Sequence, residues 1–314
     1  MKLLTGLYGA GIGLRNTLFD RGMLPALRLE QPVISVGNLS TGGSGKTPFV
    51  IALGELLKQR GIPFDVLSRG YRRKTRGVLV VDPAGNPADF GDEPLLIARR
   101  LSVPVVVGEK RYEAGRVAEQ KFQAQMHILD DGFQHRALAR DFDIVLLAPG
   151  DLEDRLLPAG RLREPPSSLA RADVIVVPHD VAAEHPALRD KPVWRTRREI
   201  QLSGVPQSPI VFCGLARPEQ FFAQVRAAGV TPTAEITFRD HHAYDRSDIH
   251  RLIGMQHETG SGGFVTTEKD AVNLGSLRGD LEPLAVAALK LTLDRPADLV
   301  DTILTRIAKR RPRS

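Results

Sequence analysis

Apolar positions fall into two alternating patterns along the chain. Short apolar or β-branched runs recur at Pro32 to Gly37 (PVISVG), Phe64 to Leu67, Gly77 to Val81, Val103 to Val107, Met126 to Leu129, Phe142 to Leu147 and Val174 to Val177. Each is bounded by Gly, Pro or polar residues, which predicts short buried strands. Between them the spacing changes to three and four. Lys46 to Arg60 carries Phe49, Leu53, Leu56 and Leu57 and stops at Gly61, and Asp92 to Leu101 and Arg111 to Phe122 behave alike. That spacing places the apolar side chains on one helix face. Strands separated by helices require right-handed crossovers and a parallel sheet.

A second series follows. Pro209 to Phe212, Thr233 to Phe238 and Phe264 to Thr266 read as strands, with helices over Pro218 to Ala228 and Asp245 to Gln256. The pattern is weakest near Pro178 to Pro209, which is rich in Pro, Arg and His, and the domain boundary is expected there. Val193 to Leu202 and Leu284 to Leu293 predict two long strands bridging the units, and a last helix over Ala297 to Lys309 would return to the first unit. The expected organisation is an amino-terminal segment (1–30), a first α/β domain (31–192), a linker (193–208), a smaller α/β domain (209–283) and a return strand and helix (284–314). A length of 314 residues agrees with two domains at roughly 150 residues each.

The amino terminus stands apart. Leu3 to Leu14 is uncharged but contains Gly6, Gly9, Gly11 and Gly13, and it is shorter than the roughly 20 residues a spanning helix needs. Its apolar residues are flanked by Arg15, Arg21 and Arg28. Two readings follow: a segment lying in a membrane interface with arginines on lipid phosphates, or a helix packed on the protein's own core.

Charge changes the picture further. Lys plus Arg number 43 against 37 Asp plus Glu, a net charge of +6, which points to an anionic partner: nucleic acid, an acidic membrane or a phosphorylated substrate. Aromatic content is only 5% and no basic face with interleaved aromatics is visible, which argues against nucleic acid. The single cysteine, Cys213, cannot form an internal disulfide and reads as a core residue of a reducing compartment. The basic loop Arg69, Arg72, Arg73, Lys74 and Arg76 is either a solvated face or a phosphate contact. The tail Lys309, Arg310, Arg311 and Arg313 reads as solvated, with a membrane contact as the alternative.

The strongest chemical signal is Ser40-Thr-Gly-Gly-Ser-Gly-Lys-Thr47, between a predicted strand and a predicted helix. Backbone amides of Thr41, Gly42, Gly43, Ser44 and Gly45 can surround phosphate oxygens, aided by the positive end of the helix dipole. Lys46 would reach the β- and γ-phosphates and the Thr47 hydroxyl would serve Mg²⁺. The strict pattern wants Gly at position 40, where this chain has Ser40. A second signal is MHILDDGFQH (126–135): Asp130 and Asp131 end a strand at the carboxyl edge of the sheet, where open α/β sheets bind ligands. The fold class is therefore α/β, a P-loop parallel sheet flanked by helices with a second, smaller α/β domain joined by a two-stranded linker.

Taken together these stretches resemble the tetraacyldisaccharide 4′-kinases, the lipid A 4′-kinases of Gram-negative bacteria. The resemblance rests on PVISVGNLSTGGSGKTP (32–48), LSRGYRRK (67–74), GDEP (91–94), ILDDGFQHR (128–136), LPAGRLREP (157–165), FCGLARPEQFF (212–222), FRDHHAY (238–244) and VTTEKDAV (265–272). The family's loop likewise tends to lack the first glycine. The resemblance implies transfer of the ATP γ-phosphate to the 4′-hydroxyl of a tetraacylated glucosamine disaccharide 1-phosphate. It further implies that Ser44, Lys46 and Thr47 serve the nucleotide phosphates and Mg²⁺. Asp92, paired with a His of the second domain, would help deprotonate the hydroxyl; His241 is the better match and His242 the reserve. Asp130, Asp131 and Glu164 would be the acids around Mg²⁺ and the transferring phosphoryl group, with their roles undivided. Arg111 and Arg163 would lie near anionic groups. A lipid substrate implies a peripheral or monotopic place at the cytoplasmic face of the inner membrane. The competing reading, a P-loop enzyme acting on a soluble substrate, leaves the apolar amino terminus unexplained.

Overall fold

The computed structural model describes residues 1–179, 181 and 185–311. The helices are α1 (Lys2–Asp20), α2 (Lys46–Gln59), α3 (Pro87–Phe90), α4 (Asp92–Leu101), α5 (Arg111–Lys121), α6 (Pro218–Ala227), α7 (Arg246–Thr259), α8 (Glu268–Leu274) and α9 (Pro296–Arg310). The strands are β1 (Val33–Asn38), β2 (Phe64–Ser68), β3 (Leu79–Val80), β4 (Val105–Val107), β5 (Met126–Asp130), β6 (Phe142–Leu146), β7 (Val174–Pro178), β8 (Val193–Gln201), β9 (Ile210–Cys213), β10 (Ala234–Thr237), β11 (Phe264–Thr267) and β12 (Leu284–Leu293).

The strands run in the order β10-β9-β11-β12-β8-β7-β6-β1-β5-β2-β4-β3. Every pairing is parallel except β12–β8 and the edge pair β3–β4. Strands β1, β2, β5 and β6 are buried along their whole length, as parallel strands between two helix layers must be. One face is covered by Phe49, Leu53 and Leu57 of α2, Leu95 and Leu101 of α4 and Leu299 and Ile303 of α9. Ala114 and Ala118 of α5 pack with Leu29 and Leu138 on the other. The parallel register sets Val36 beside Asp130 and Ser68 beside Val107, so Asn38, Ser68 and Asp130 finish on one edge.

Strand β12 changes partners along its length. Leu284 to Ala287 pairs with β11, and Ala288 to Leu293 pairs antiparallel with Gln201 to Thr196 of β8. The first residues of β8 pair with β7, so the strand at the expected linker is continuous with the first unit's sheet. Phe212, Phe238, Tyr244 and Phe264 form an edge-to-face aromatic group inside the second unit. Cys213 is fully buried there, and its apolar surroundings push its thiol up to about 12.

Two expectations change, and two short helices join the expected elements. The run Gly77 to Val81 gives only a two-residue edge strand, because β4 is its sole neighbour and a Pro/Gly turn follows. The short helices α3 and α8 carry too few residues to show a period. Two residues of the basic tail are engaged rather than solvated, while Lys309 is exposed: Arg310 forks onto Asp173 at 3.0 and 2.8 Å, and Arg311 reaches buried Asp141 at 2.8 Å. Arg28 binds the same Asp141 at 2.9 Å, tying both ends of the chain to the first unit. Arg313 lies outside the described residues.

Candidate active site

The loop after β1 is held by its own polar groups. Ser40, at the position where the strict motif has glycine, is buried and donates its hydroxyl to Asp151 Oδ2 at 3.0 Å. Asn38 donates to the Ser40 carbonyl and accepts from Lys46 Nζ at 3.2 Å, which returns the lysine over the loop. Gly45 starts α2 at φ 85°, a conformation glycine adopts without a Cβ penalty, and a Cβ there would meet the Arg198 guanidinium. Arg198 comes from β8 and donates to the Ser44 carbonyl at 2.6 Å, joining the bridging strand to the loop. The buried Ser44 hydroxyl has no protein partner, which leaves it able to bond another group. Thr47 is buried in the first turn of α2. Gly42 and Gly43 form the exposed rim. Thr41 turns away: its amide and hydroxyl both donate to the Arg161 carbonyl.

The two aspartates after β5 have opposite electrostatics. Asp131, at φ 50°, lies 3.4 Å from Lys46 and receives Arg163 Nη1 on both oxygens at 3.0 Å. Desolvation pushes its carboxyl upward, but Lys46 and Arg163 hold it below the usual carboxylate range. Asp130 is 2% exposed; Ser68 donates to one oxygen at 3.0 Å and the other has no partner. Burial and the negative charges of Glu93 and Asp131 push it up to about 7 against the pull of Lys46. A buried carboxylate with an orphaned oxygen and too little positive charge fits a hard cation.

Glu164 shares one of its two oxygens with other groups, and its Oε1 has no partner. It is fully buried, and Oε2 receives Arg171 at 2.7 Å and Asn16 of α1 at 2.9 Å. Among the described residues no group of three or more His, Cys, Asp or Glu side chains could share a metal ion. Arg111 is buried with its Nε unpaired, and Arg161 is engaged with Asp154 at 2.7 Å.

The other wall comes from the second unit. His241 Nδ1 lies 2.7 Å from Asp92 Oδ2, a contact across the cleft between the turn before α7 and the first residue of α4. His242 instead bonds Asp248 at 2.7 Å and stacks on Phe238, so it supports the helix start. His241 has φ 58°, left-handed backbone costing on the order of 1–3 kcal/mol and concentrated at functional sites. Arg72 of the basic loop donates to the Asp240 carbonyl at 2.7 Å, and the Tyr71 ring meets the His241 ring edge-on at 5.6 Å. Burial opposes ionisation of Asp92, but the His241 hydrogen bond, Lys269 and Asn273 hold it below the ordinary range.

Several participants have no role predicted from the sequence, although Glu93, Lys269 and His135 lie within the matching stretches. Glu93 follows Asp92, and burial raises its carboxyl. Lys269 and Asn273 approach Asp92 from α8. Lys269 lies within the VTTEKDAV stretch; a lysine just beyond a buried strand's carboxyl end was the available clue. His135 sits among Arg111, Arg140, Arg15 and Arg69, and burial with these charges pushes its imidazole down to about 4. Since the free value is 6.5, the unfolded chain takes up a proton that the folded chain refuses as pH falls from 6.5 toward 4. Stability should therefore fall across that window. Denaturant midpoints of His135→Gln should fall less steeply there than the parent's; parallel profiles would show that His135 is not the group responsible.

The chain is similar to known proteins over nearly its whole length. The family model for Tetraacyldisaccharide-1-P 4′-kinase matches residues 1–308. The Tetraacyldisaccharide 4′-kinase of Koribacter versatilis is 48% identical over 99% of both chains. That of Aquifex aeolicus is 42% identical over 85% of this chain and 87% of its own. A crystal structure of LpxK from Aquifex aeolicus in complex with ATP superposes with a TM-score of 0.81 at 36% identity, covering 97% of each chain. Matched by the family model over residues 1–308 and 48% identical to a relative over 99% of its length, the chain belongs to the tetraacyldisaccharide-1-P 4′-kinase family and is a kinase.

Proposed function

We propose that Asp92 and His241 accept the proton of the attacking sugar hydroxyl while Lys46, Asp131 and Arg163 organise the phosphates. The carrying observation is the 2.7 Å Asp92–His241 contact opposite a P-loop lysine. The chain transfers the ATP γ-phosphate to the 4′-hydroxyl of the tetraacyl disaccharide 1-phosphate. A bond forms between the hydroxyl oxygen and the γ-phosphorus, and the bond to the β,γ-bridging oxygen breaks, releasing ADP. The hydroxyl proton passes to Nε2 of His241, whose Nδ1–H is fixed by Asp92. Lys46 and the loop amides stabilise charge spread over the phosphoryl oxygens. Asp130 and Thr47 would hold Mg²⁺, which when bound neutralises phosphate charge. Glu164 would act through Arg171 and α1. Arg111 would face an anionic group. Substituting Asp92→Asn tests the pair: turnover should fall while ATP binding, measured by calorimetry, is retained. Unchanged turnover would remove the pair from the reaction.

The substrate's acyl chains give α1 a purpose. Leu3, Leu7 and Leu14 project within about 40° of one another at 100° per residue, and they are 77%, 63% and 63% exposed. Tyr8, Arg15 and Asn16, on other faces, bond the Arg163 carbonyl, the Gln134 carbonyl and Glu164. The helix thus faces its own protein with polar groups and the outside with leucines. Arg15 is engaged within the protein, Arg28 bonds Asp141 while its side chain stays 56% exposed, and Arg21 is exposed as well. No helix among the described residues is long and apolar enough to cross a membrane. The reading is peripheral attachment at the cytoplasmic face of the inner membrane, with an anionic surface as partner. Replacing Leu3, Leu7 and Leu14 by Ser should weaken binding to anionic lipid vesicles by about 10- to 100-fold in a sedimentation assay. Equal binding would assign the leucines another role.

A further inference from the structure

Lys269 lies in the first turn of α8, just beyond the carboxyl end of β11. Its Nζ is 3.0 Å from Asp240 Oδ1, 3.2 Å from His241 Nε2 and 3.8 Å from Asp92 Oδ2. Its side chain is mostly covered, at 16% exposed. An ammonium group has protons and no lone pair, so its contact with Nε2 is a hydrogen bond only when Nε2 carries the lone pair. An ionised carboxylate can only accept, so the contact of Nδ1 with Asp92 requires the proton on Nδ1. The two contacts select the same neutral tautomer. Doubly protonated, the ring would turn an N–H of a cation toward another cation.

We propose that Lys269 is a positioning residue for phosphoryl transfer. It holds His241 as the Nδ1–H tautomer and keeps the Nε2 lone pair in the seat that the acceptor hydroxyl then occupies. The proposal rests on the reading of Asp92 and His241 as the proton-accepting pair. Its anchor is the charge-assisted bond to Asp240, which is shorter than the bond to Nε2 and remains when the hydroxyl displaces the ammonium. Asp240 is itself fixed through its carbonyl by Arg72. Asp92, Glu93 and Asp240 bring carboxylates near the ring, and the Arg72 guanidinium is held on the Asp240 carbonyl. Lys269 is the cation in contact with Nε2, reaching it from α8, and it acts through His241 rather than on the substrate.

A double-mutant cycle tests this, because groups acting through one another are not additive. Lys269→Met in the full chain should lower kcat about 10-fold with the KM for ATP unchanged. In a His241→Ala background the same substitution should cost less than about 2-fold. A merely structural or directly phosphate-binding lysine would give the same loss in both backgrounds, which would overturn the proposal, as would a Lys269→Met enzyme with parental kcat. If His241→Ala alone keeps parental kcat, the reading of the pair fails and the proposal with it. If His241→Ala is impaired and the losses multiply, the proposal alone fails. Should Lys269→Met not fold, Lys269→Gln, one atom shorter and uncharged but polar enough to stay beside Asp240, enters the cycle with the same expectations.

Discussion

Lys46→Ala should lower kcat by about three orders of magnitude, the scale of losing a charge aimed at the transferring group. The structure gives two reasons. Lys46 is the cation held over the loop, 3.2 Å from Asn38 and 3.4 Å from Asp131. It also opposes the charge of Asp130, whose carboxyl burial already pushes up to about 7. Removing Lys46 leaves Asp131 with Arg163 alone and makes the acid edge repel phosphate. ATP binding should weaken as well, by about 10-fold or more in calorimetry. Lys46→Arg should not restore turnover, because a planar guanidinium cannot take the place of a point charge there. Parental turnover in Lys46→Ala would show that the loop does not hold the reacting phosphates.

His241→Ala should lower kcat by about 10²- to 10⁴-fold, the range of a lost general base, with the KM for ATP nearly unchanged because the loop is untouched. Asp92→Asn should approach the same loss. An amide at position 92 can donate to Nδ1 and thereby favour the wrong tautomer. The two substitutions together should cost little more than either alone, since each disables the same unit. If His241→Ala raised the KM for the lipid acceptor while leaving turnover at saturation intact, the residue would bind substrate without taking its proton. His242→Ala is the contrast. Its ring bonds Asp248 and stacks on Phe238, so its loss should appear in thermal stability before turnover.

What could be read from the chain was whatever local pattern dictates. The β1 run, the Lys46 to Arg60 helix and the two long strands emerge within a residue or two, because buried parallel strands and one-sided helices leave strong periodic traces. The phosphate loop and the acid pair of β5 were visible since their geometry is set within one strand–loop–helix unit. Features made by tertiary contact were not visible. Glu164 adjoins Arg163 in sequence, yet it faces Arg171 and Asn16, while Arg163 faces Asp131. No spacing encodes that division, because it depends on where α1 docks. Lys269 escaped for the same reason: its neighbours Asp92 and His241 are far from it in sequence and meet only when α4 and α8 pack. The Arg310 and Arg311 contacts show that a basic run at a chain end need not be a solvated tail when buried carboxylates await it.

The decisive measurement is transfer of labelled γ-phosphate from ATP to purified tetraacyl disaccharide 1-phosphate, dispersed in detergent or vesicles, with Lys46→Ala and His241→Ala in parallel. The expected result is a labelled bisphosphate lipid carrying its new phosphate at the 4′-position, formed with Mg²⁺, and no comparable product from either variant. Absence of product from the parent enzyme at every detergent level, or equal product from His241→Ala, would contradict the mechanism derived from the cleft.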